Sequence, residues 1–390
     1  MICSAGLNAN AQWKKTTLTG NKDLFDLHFN QGHLLIGGFN SALYSSNDTG
    51  KTLKALSLNI PQNIRGVWVF HPDTLLIIGE NARVQKSYDG GKTWSQKYVR
   101  TAAYAYDIAF QKQFGVAVGK DFMALSSTNF GETWSVDTTL AIGKKINAVS
   151  IMPNGQCWAA ADSCFILNKH IQSKKWRIIK LNNTVNLSCI QSFGDSIILV
   201  AGSVTDTLQP NNIRNAIFKS TDSGNHFFET TATEMRSITG LFFSSPDSGF
   251  FCGSNGLILK CNNPMDQQFR GIQLSGTAST YNSIFTIGGK GIAIGDGGLV
   301  SRTNNYGGYG LDLPHQIKAS IDVYPNPCNG SFCFSDNIDP NNIKIYNALG
   351  QSISFELSNK LCKINETAAG LYWIILKQGD QTRLLKVHID

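Results

Sequence analysis

The sequence predicts an all-β protein: a seven-bladed β-propeller followed by a small C-terminal β-sandwich. Two observations favour this fold class. A turn motif recurs about every 41 residues, and short apolar strands fill the intervals between its copies. The repeat ends near residue 310, and a different strand pattern follows. We therefore expect a propeller over 12–310, a linker over 311–319 and a second domain over 320–390.

The repeated motif has the form S-x-D/N-x-G-x-T-W/L and is called the box below. Its four clear copies run from Ser46 to Leu53 (with Asp48 and Gly50), from Ser87 to Trp94 (Asp89, Gly91), from Ser127 to Trp134 (Asn129, Gly131) and from Ser220 to Phe227 (Asp222, Gly224). A weaker copy ends at residue 310. Eroded copies end at 176 and 269, and a loop insertion over 203–212 lengthens one interval. Units ending at 53, 94, 134, 176, 227, 269 and 310 make seven.

The residue types of the box are typical of a folding device. An Asp or Asn side chain caps the turn by accepting backbone N–H bonds, Gly takes the positive φ, and the final aromatic packs into the repeat. We therefore interpret the boxes as hairpin locks and not as catalytic sites.

Each unit reads as four strands, with a second strand that ends in Gly, as in Leu34–Gly38 and Thr74–Gly79. Four strands per ~41 residues is the size of one propeller blade. No fourth strand follows the seventh box, whereas Gln12–Leu18 resembles a post-box segment, with Trp13 placed 40 residues before Leu53. We expect this N-terminal segment to complete the last blade and close the ring.

Composition excludes several classes of function. The 34 basic and 27 acidic residues give a net charge of +7 and are scattered, without the clusters of a nucleic-acid interface. No apolar run reaches the ~18 residues that would cross a bilayer. The nine cysteines lack metal-site spacing, so neither a metal nor a cofactor is expected. Cys328 and Cys333 flank a short turn that permits a disulfide; the alternative is that they are small buried apolar residues, as we expect of most of the cysteines.

Residues 1–11 have the features of the end of a signal peptide. Ala9-Asn10-Ala11 before Gln12 has the small-x-small pattern of a cleavage site. An ordinary frayed N-terminus is the alternative.

Residues 12–310, with their boxes and Gly-ended second strands, resemble the Asp-box (BNR-like) propellers of the photosystem II stability and assembly factor family of plants and cyanobacteria. Sialidases, sortilin-type receptors and xyloglucan-degrading glycosidases share the box. The resemblance implies the fold and says little of function, because propellers host unrelated activities.

Four blocks follow one another near the C-terminus: Val323–Phe332, Ile343–Gln351, Ala369–Leu376 and a basic end at Lys386. In this order they resemble the C-terminal sorting domain of proteins exported by the type IX secretion system of Bacteroidetes. The matching residues are Tyr324, Pro325, Asn326, Pro327, Gly330, Tyr346, Asn347, Gly350, Gly370, Tyr372 and Lys386. The resemblance implies recognition by the secretion machinery, and a protein that passes the periplasm and outer membrane to the cell surface or the medium.

The same blocks alternate as strands do. Ile343 and Ile345, and the series Tyr372, Ile374 and Leu376, are expected to point into a core, with turns at 347–350 and at Gly370.

No motif in the sequence predicts an enzyme, and we expect no catalytic residue. A sialidase would need an arginine triad, for which three residues qualify by type alone: Arg65, Arg236 and Arg302. A glycosidase needs two carboxylates at a set separation. Four acids are more simply interpreted as solvated turn residues: Glu80, Asp121, Asp222 and Asp296.

A binding face is the remaining candidate site. If the boxes lie between third and fourth strands, the loops joining second to third strands and fourth to first strands gather on the opposite face. This loop face would carry the 203–212 insertion and residue types common at interfaces, namely Arg65, Arg83, Arg100, Tyr104, Tyr106, Lys120 and Arg236. For each of them a solubilising surface role is the alternative.

The sequence therefore predicts an exported, non-enzymatic binding or scaffold protein with an unidentified protein or glycan ligand. The alternative is a glycan-directed protein, either lectin-like or a divergent Asp-box glycosidase of the sialidase type.

Overall fold

The computed structural model divides the chain into two compact units, Met1–Gly310 and Leu311–Asp390. It describes residues 13–97, 99, 104–137, 144–181, 185–205, 213–232, 236–262, 264, 275–305, 323–324, 328–334, 338–347, 351–365, 368–378 and 381–389. Several predicted features lie outside these residues: the segment 1–11, the linker 311–319, most of the 203–212 insertion, the box ends at 269 and 310, and the residues Arg100, Pro325, Asn326, Pro327 and Gly350.

The described part of the first unit forms seven antiparallel sheets. Strand β1 (Lys14–Thr17) comes first in the chain and belongs to the last of them. Sheet 1 contains β2 (Leu24–Asn30), β3 (His33–Gly38), β4 (Leu43–Ser46) and β5 (Lys54–Ala55). Sheet 2 contains β6 (Ile64–His71), β7 (Thr74–Gly79), β8 (Val84–Ser87) and β9 (Ser95–Lys97). Sheet 3 contains β10 (Ala105–Gln111), β11 (Phe114–Gly119), β12 (Ala124–Ser127) and β13 (Ser135–Val136).

The remaining sheets continue in chain order. Sheet 4 contains β14 (Ile146–Ile151), β15 (Gln156–Ala161), β16 (Phe165–His170) and β17 (Arg177–Lys180). Sheet 5 contains β18 (Asn186–Phe193), β19 (Ile197–Thr205), β20 (Ile213–Ser220) and β21 (Phe228–Ala232). Sheet 6 has three strands among the described residues, β22 (Ile238–Ser245), β23 (Ser248–Gly253) and β24 (Ile258–Cys261). Sheet 7 contains β25 (Tyr281–Ile287), β26 (Lys290–Gly295), β27 (Leu299–Thr303) and β1.

The second strands are apolar along most of their length because both of their faces are packed. In β7, for example, Leu75 to Ile78 are all inaccessible to solvent. The glycine that ends this strand allows a close backbone approach. A Cβ atom on Gly79 would lie 1.8 Å from the carbonyl oxygen of Asn63, and one on Gly295 would lie 1.9 Å from that of Thr280.

The sheets form a closed ring. The first strand of each sheet contacts the first strand of the next, and β25 of sheet 7 contacts β2 of sheet 1. The N-terminal segment completes sheet 7, since β1 pairs antiparallel with β27 from Lys14 opposite Arg302 to Thr17 opposite Leu299. The predicted closing strand is thereby confirmed. Radial sheets around a closed ring of first strands are the architecture of a β-propeller.

The second unit consists of two four-stranded sheets. The first contains β28 (Val323–Tyr324), β29 (Ser331–Phe334), β33 (Leu361–Ile364) and β32 (Phe355–Ser358). The second contains β31 (Ser352–Ile353), β30 (Ile343–Asn347), β34 (Gly370–Gln378) and β35 (Gln381–Ile389). Side chains of both sheets share one core, including Phe332 and Cys362 from the first and Ile345 and Ile374 from the second.

The expectation for the alternating strands of this unit is confirmed, since Ile343, Ile345, Tyr372, Ile374 and Leu376 are all buried. The turn predicted at Gly370 is wrong, because this residue begins β34 and pairs with Ile389. The disulfide considered between Cys328 and Cys333 is not formed, and both thiols are free.

Candidate binding face and axial cavity

The four clear boxes share one hydrogen-bond pattern in the turn between third and fourth strands. In the second box, Ser87 Oγ donates to Asp89 Oδ1 (2.8 Å) and accepts from the Gly91 N–H (2.8 Å). Asp89 in turn accepts from Thr93 N (2.9 Å) and Thr93 Oγ1 (2.6 Å). The corresponding residues of the other boxes are Ser46, Asp48 and Gly50, then Ser127, Asn129 and Gly131, then Ser220, Asp222 and Gly224. The indole N–H groups of Trp94 and Trp134 donate to the Gly91 and Gly131 carbonyls.

These bonds keep the box carboxylates ionised. Hydrogen bonds from Thr93 lower the pKa of Asp89 to about 2, and bonds from His226 lower that of Asp222 to about 2. For Asp48, desolvation acts in the opposite direction, but bonds from Thr52 and Ser46 still lower the pKa to about 2. Such groups are poor proton donors near neutral pH, so their chemistry suits turn capping.

The box glycines also lie against the preceding sheet. Gly224 has φ +78°, and a Cβ atom on it would lie 2.0 Å from Trp158 in sheet 4. Gly131 approaches Leu76 of sheet 2 in the same way, and Gly50 approaches Ile292 of sheet 7. The boxes therefore join neighbouring sheets, a role that the turn chemistry alone does not reveal.

A basic residue directly before the box makes a second contact between sheets. Lys86 Nζ donates to the Phe130 carbonyl (2.8 Å) and to Glu132 Oε1 (2.6 Å) in the third box. Arg302 Nη1 donates to the carbonyls of Gly50 (2.9 Å) and Lys51 (2.7 Å) in the first box. Sequence reasoning missed this pattern, although a Lys or Arg precedes the first box position at 86, 219 and 302.

The described residues among those predicted for the loop face lie at the ends of strands opposite the boxes. Arg83 follows the 3₁₀ turn Glu80–Ala82, and Lys120 begins the turn Lys120–Phe122. Tyr104 directly precedes β10 and is 41% exposed, while Arg236 lies shortly before β22. Arg65 and Tyr106 are the second residues of β6 and β10.

A β-bulge occurs near the start of every first strand, and the bulged residue differs between the two halves of the ring. In sheets 4 to 7 it is a short polar residue that donates to a carbonyl of the next first strand, as Asn147 does to Leu187 (2.7 Å) and Ser188 to Ile238 (2.8 Å). Thr239 and Asn282 do the same. Sheets 1 to 3 carry three larger side chains at this place: Phe25, Arg65 and Tyr106. We call these three residues the rim cluster.

Arg65 is the centre of the rim cluster. Its guanidinium carbon lies 3.7 Å from the ring centroid of Phe25, and it interacts electrostatically with Tyr106. Burial lowers the pKa of Arg65, although the side chain is only half-buried and stays cationic at any physiological pH.

The acids near Arg65 have other partners. Glu80 accepts a hydrogen bond from the Asn63 side chain, Asp296 accepts one from Asn282 (2.8 Å), and Asp23 accepts one from the Gly297 N–H (2.8 Å). Within the described part of the chain Arg65 makes no ion pair. The rim cluster thus presents a half-buried cation that packs on the Phe25 ring, with Tyr106 close enough to act on its charge.

Below the rim, the first strands enclose an axial cavity of about 320 Å³. Two carboxyl groups line it. Asp26 accepts from the N–H groups of Leu27 (2.8 Å) and Val67 (2.9 Å), and Asp107 accepts from those of Ile108 and Val149 (both 2.7 Å). Each aspartate therefore links its own first strand to the next one. His28, on the same wall, stacks on Trp68 with ring centroids 3.9 Å apart.

Burial in this cavity shifts the protonation equilibria. It raises the pKa of Asp107 to about 7. Burial, followed by repulsion from Asp107, raises the pKa of Asp26 well above its usual range. Burial lowers the pKa of His28 to about 4, so its imidazole is neutral at pH 7.

Sequence reasoning missed Asp26, Asp107 and Phe25 because it searched turns for acids and loops for binding residues. The available signal was a lone acid at the third place of two apolar first strands, Leu24-Phe25-Asp26 and Ala105-Tyr106-Asp107. The acids that it weighed lie elsewhere: Glu80, Asp121 and Asp296 in 3₁₀ turns and Asp222 in a box. The arginine triad is not assembled, since Arg302 binds the first box, whereas Arg65 and Arg236 lie on the loop face.

The second unit can be assigned from its sequence. Residues 322–390 match the family of the secretion system C-terminal sorting domain. Unit 2 is a type IX secretion sorting domain. The sorting domain implies interaction with the type IX machinery and export to the cell surface or the medium. Among the described residues, no helix is long and apolar enough to cross a membrane.

Solved structures of similar fold confirm the propeller. YCF48 bound to D1 peptide aligns with a TM-score of 0.61 and 18% identity over 75% of this chain and 97% of that one. YCF48 from Cyanidioschyzon merolae gives 0.59 and 18% over 75% and 98%. The WD40 β-propeller domain of Doa1 gives 0.59 and 10% over 75% and 97%. A comparison with curated protein sequences gives no significant match.

Proposed function

We propose that the exported propeller is a non-enzymatic binding or scaffold protein that holds an acidic segment of a protein partner on its loop face, with Arg65 as the anchor. The observation that carries the proposal is the rim cluster. Four of the bulged residues, those of sheets 4 to 7, donate a hydrogen bond to the next first strand and so hold the propeller together. The other three, at positions 25, 65 and 106 of sheets 1 to 3, are large and make no such bond among the described residues.

The chemistry of the cluster suits a carboxylate. A guanidinium group offers a planar set of donors to a carboxylate, and such charge-assisted bonds are about twice as strong as neutral ones. Arg65 has no competing ion pair within the described chain, and its guanidinium packs on the Phe25 ring. Arg and Tyr are also the residue types that dominate binding energy at protein interfaces.

The surroundings favour an extended ligand over a small molecule. Phe39 is 47% exposed and Tyr104 is 41% exposed, and both lie on the loop face, Tyr104 directly before the strand that carries Tyr106. Among solved propellers of this fold, YCF48 has been captured with a peptide. A peptide segment is therefore the partner class that we propose, without the photosynthetic role of that protein.

The proposal predicts that Arg65→Ala weakens ligand binding without unfolding the propeller. The full chain is screened against arrays of acidic peptides and of glycans, and each hit is titrated. Because one charge-assisted bond contributes about 1.5–3 kcal/mol, Arg65→Ala should weaken the peptide hits by about tenfold or more.

The matched control is Arg177→Ala, an exposed arginine at the start of β17, which should leave the same hits unchanged. Peptide hits that bind equally well to both variants would sink the proposal, as would an array on which only glycans bind.

A second candidate, the glycan-directed enzyme, rests on the axial carboxyl pair. Asp107, with a pKa of about 7, is in the range of a general acid. Against this, every oxygen of Asp26 and Asp107 already accepts a backbone N–H bond that ties two strands together. Turnover of a sialoside or β-glucan by the wild type, lost in Asp107→Asn, would favour the enzyme over the binding protein.

A further inference from the structure

A cavity of about 260 Å³ lies on the box face, where sheet 7 meets the first box and the ring closes. We call it the seam cavity. It is lined by basic residues from four separate places: Lys14 of β1, Lys290 of β26, Arg302 of β27 and Lys51 of the first box. The same elements hold the ring shut, since β1 pairs with β27 and Gly50 lies against Ile292.

The charges of the seam cavity are not balanced by its own acids. Lys14, Lys51 and Lys290 are exposed and make no ion pair with any described residue. Among the described residues that line it, Asp48 is the one acid, and its carboxylate is occupied by Ser46 and Thr52. In the described lining, four cations against one carboxylate leave an excess of three positive charges.

We propose that the seam cavity binds a multiply charged oxyanion, a phosphate or sulfate group. Ammonium groups on flexible stems act as adaptable point charges for such groups, and the guanidinium of Arg302 adds fixed donors beside them. The four cations would surround the oxygens of a bound phosphate. The volume of the seam cavity exceeds that of a single phosphate, so pyrophosphate or a sugar phosphate fits as well. Binding would relieve the mutual repulsion of the four cations.

The repeat supplies an internal comparison. At the junction between sheet 1 and the second box, Lys54 and Lys92 occupy the places of Lys14 and Lys51. The places of Lys290 and Arg302 are taken there by His33 and Ser45. The strong cluster of cations is therefore a property of the closing junction and not of the box motif.

The seam site has a consequence for stability. Its groups come from both ends of the ring, so the anion binds the closed ring and not an opened one. A ligand that binds only the folded state raises the thermal midpoint as its concentration rises. This site lies on the face opposite the rim cluster and does not depend on the function proposed for that cluster.

The test is calorimetric titration of the full chain with inorganic pyrophosphate and, separately, with glucose 6-phosphate, at constant ionic strength so that screening does not vary. We expect saturable binding and a rising thermal midpoint. Lys51→Glu should weaken binding by about tenfold or more, and Lys290→Glu likewise, because each removes one attraction and adds one repulsion. Lys92→Glu, at the same position of the second box, should change it by less than about twofold.

The two ligands separate the possible sources. Binding of pyrophosphate alone indicates a free anion, and binding of glucose 6-phosphate indicates a phosphate ester; either supports the site. Thermal midpoints measured without ligand establish that each variant is folded. If neither ligand binds saturably, or if Lys92→Glu loses as much affinity as Lys51→Glu, the seam cavity is not an anion site.

Discussion

Replacing Trp13 with alanine is expected to lower the free energy of unfolding of the propeller by about 3–5 kcal/mol, the range for truncating a large buried aromatic residue. Trp13 is fully buried, although it lies at the start of the closing segment. Its indole packs edge-on against Phe250 of sheet 6, with ring centroids 5.8 Å apart. It also packs against Gly291 of sheet 7, so closely that a Cβ atom on this glycine would clash with the indole. Removing the indole therefore opens a cavity where sheets 6 and 7 meet the N-terminal closing segment.

Thermal and chemical unfolding of the purified full chain measure this effect. The control is Lys15→Ala, at an exposed position of β1 two residues further along, which should change the stability by less than about 0.5 kcal/mol. Deleting residues 13–18 should destabilise more than Trp13→Ala, because it also leaves the edge of β27 unpaired. If Trp13→Ala and Lys15→Ala have the same thermal midpoint, the stability of the propeller does not depend on the N-terminal segment.

Replacing Lys169 with methionine should also cost about 3–5 kcal/mol, since breaking one side of a buried ion pair leaves a charge without compensation. Lys169 Nζ lies 2.5 Å from Asp137 Oδ2, and both side chains are fully inaccessible to solvent. Ser126 and Trp176 complete the cluster, with Trp176 Nε1 donating to Asp137 Oδ2 at 3.1 Å. The pair joins sheet 3 to sheet 4 in the interior.

Lys219→Met is the matched control for this substitution. Lys219 also lies in a third strand, that of the next sheet, and also pairs with an acid. Its partner Asp247 is 65% exposed, so the loss should stay below about 1 kcal/mol. The double variant Lys169→Met with Asp137→Leu should recover much of the stability, because an apolar pair of similar volume can replace a buried ion pair. Equal melting temperatures for Lys169→Met and Lys219→Met would show that burial does not set the cost.

The propeller could be predicted because its signals are local. The box places a capping side chain, a positive-φ glycine and an aromatic within eight residues, and its spacing repeats. The closing strand followed from the same register, since Trp13 stands where each box ends. The core of the sorting domain followed from the alternation of residues such as Ile343 and Ile345.

The candidate sites could be predicted only in part, because they are built across sheets. Arg65 and Tyr106 were expected on the loop face, but Phe25 was not, and nothing in one strand reveals that residues 40 or more positions apart share a rim. Asp26 and Asp107 bind N–H groups about 41 residues further along the chain, an interaction that only the closed ring creates. The seam cavity joins positions 14, 51, 290 and 302 for the same reason.

We expect the loop face to bind the ligand and the box face to stabilise the fold. One pair of variants tests this expectation, each assayed for both affinity and stability. For a peptide recovered from the array, the dissociation constant and the thermal midpoint are measured for Arg65→Ala on the loop face and Asp89→Ala in the second box. We expect Arg65→Ala to raise the dissociation constant by about tenfold or more with an unchanged midpoint. Asp89→Ala should lower the midpoint and leave the affinity unchanged, because it removes the bonds that lock the hairpin. If Asp89→Ala weakens binding in a folded protein and Arg65→Ala does not, the ligand is held at the box face and the proposed binding site is wrong.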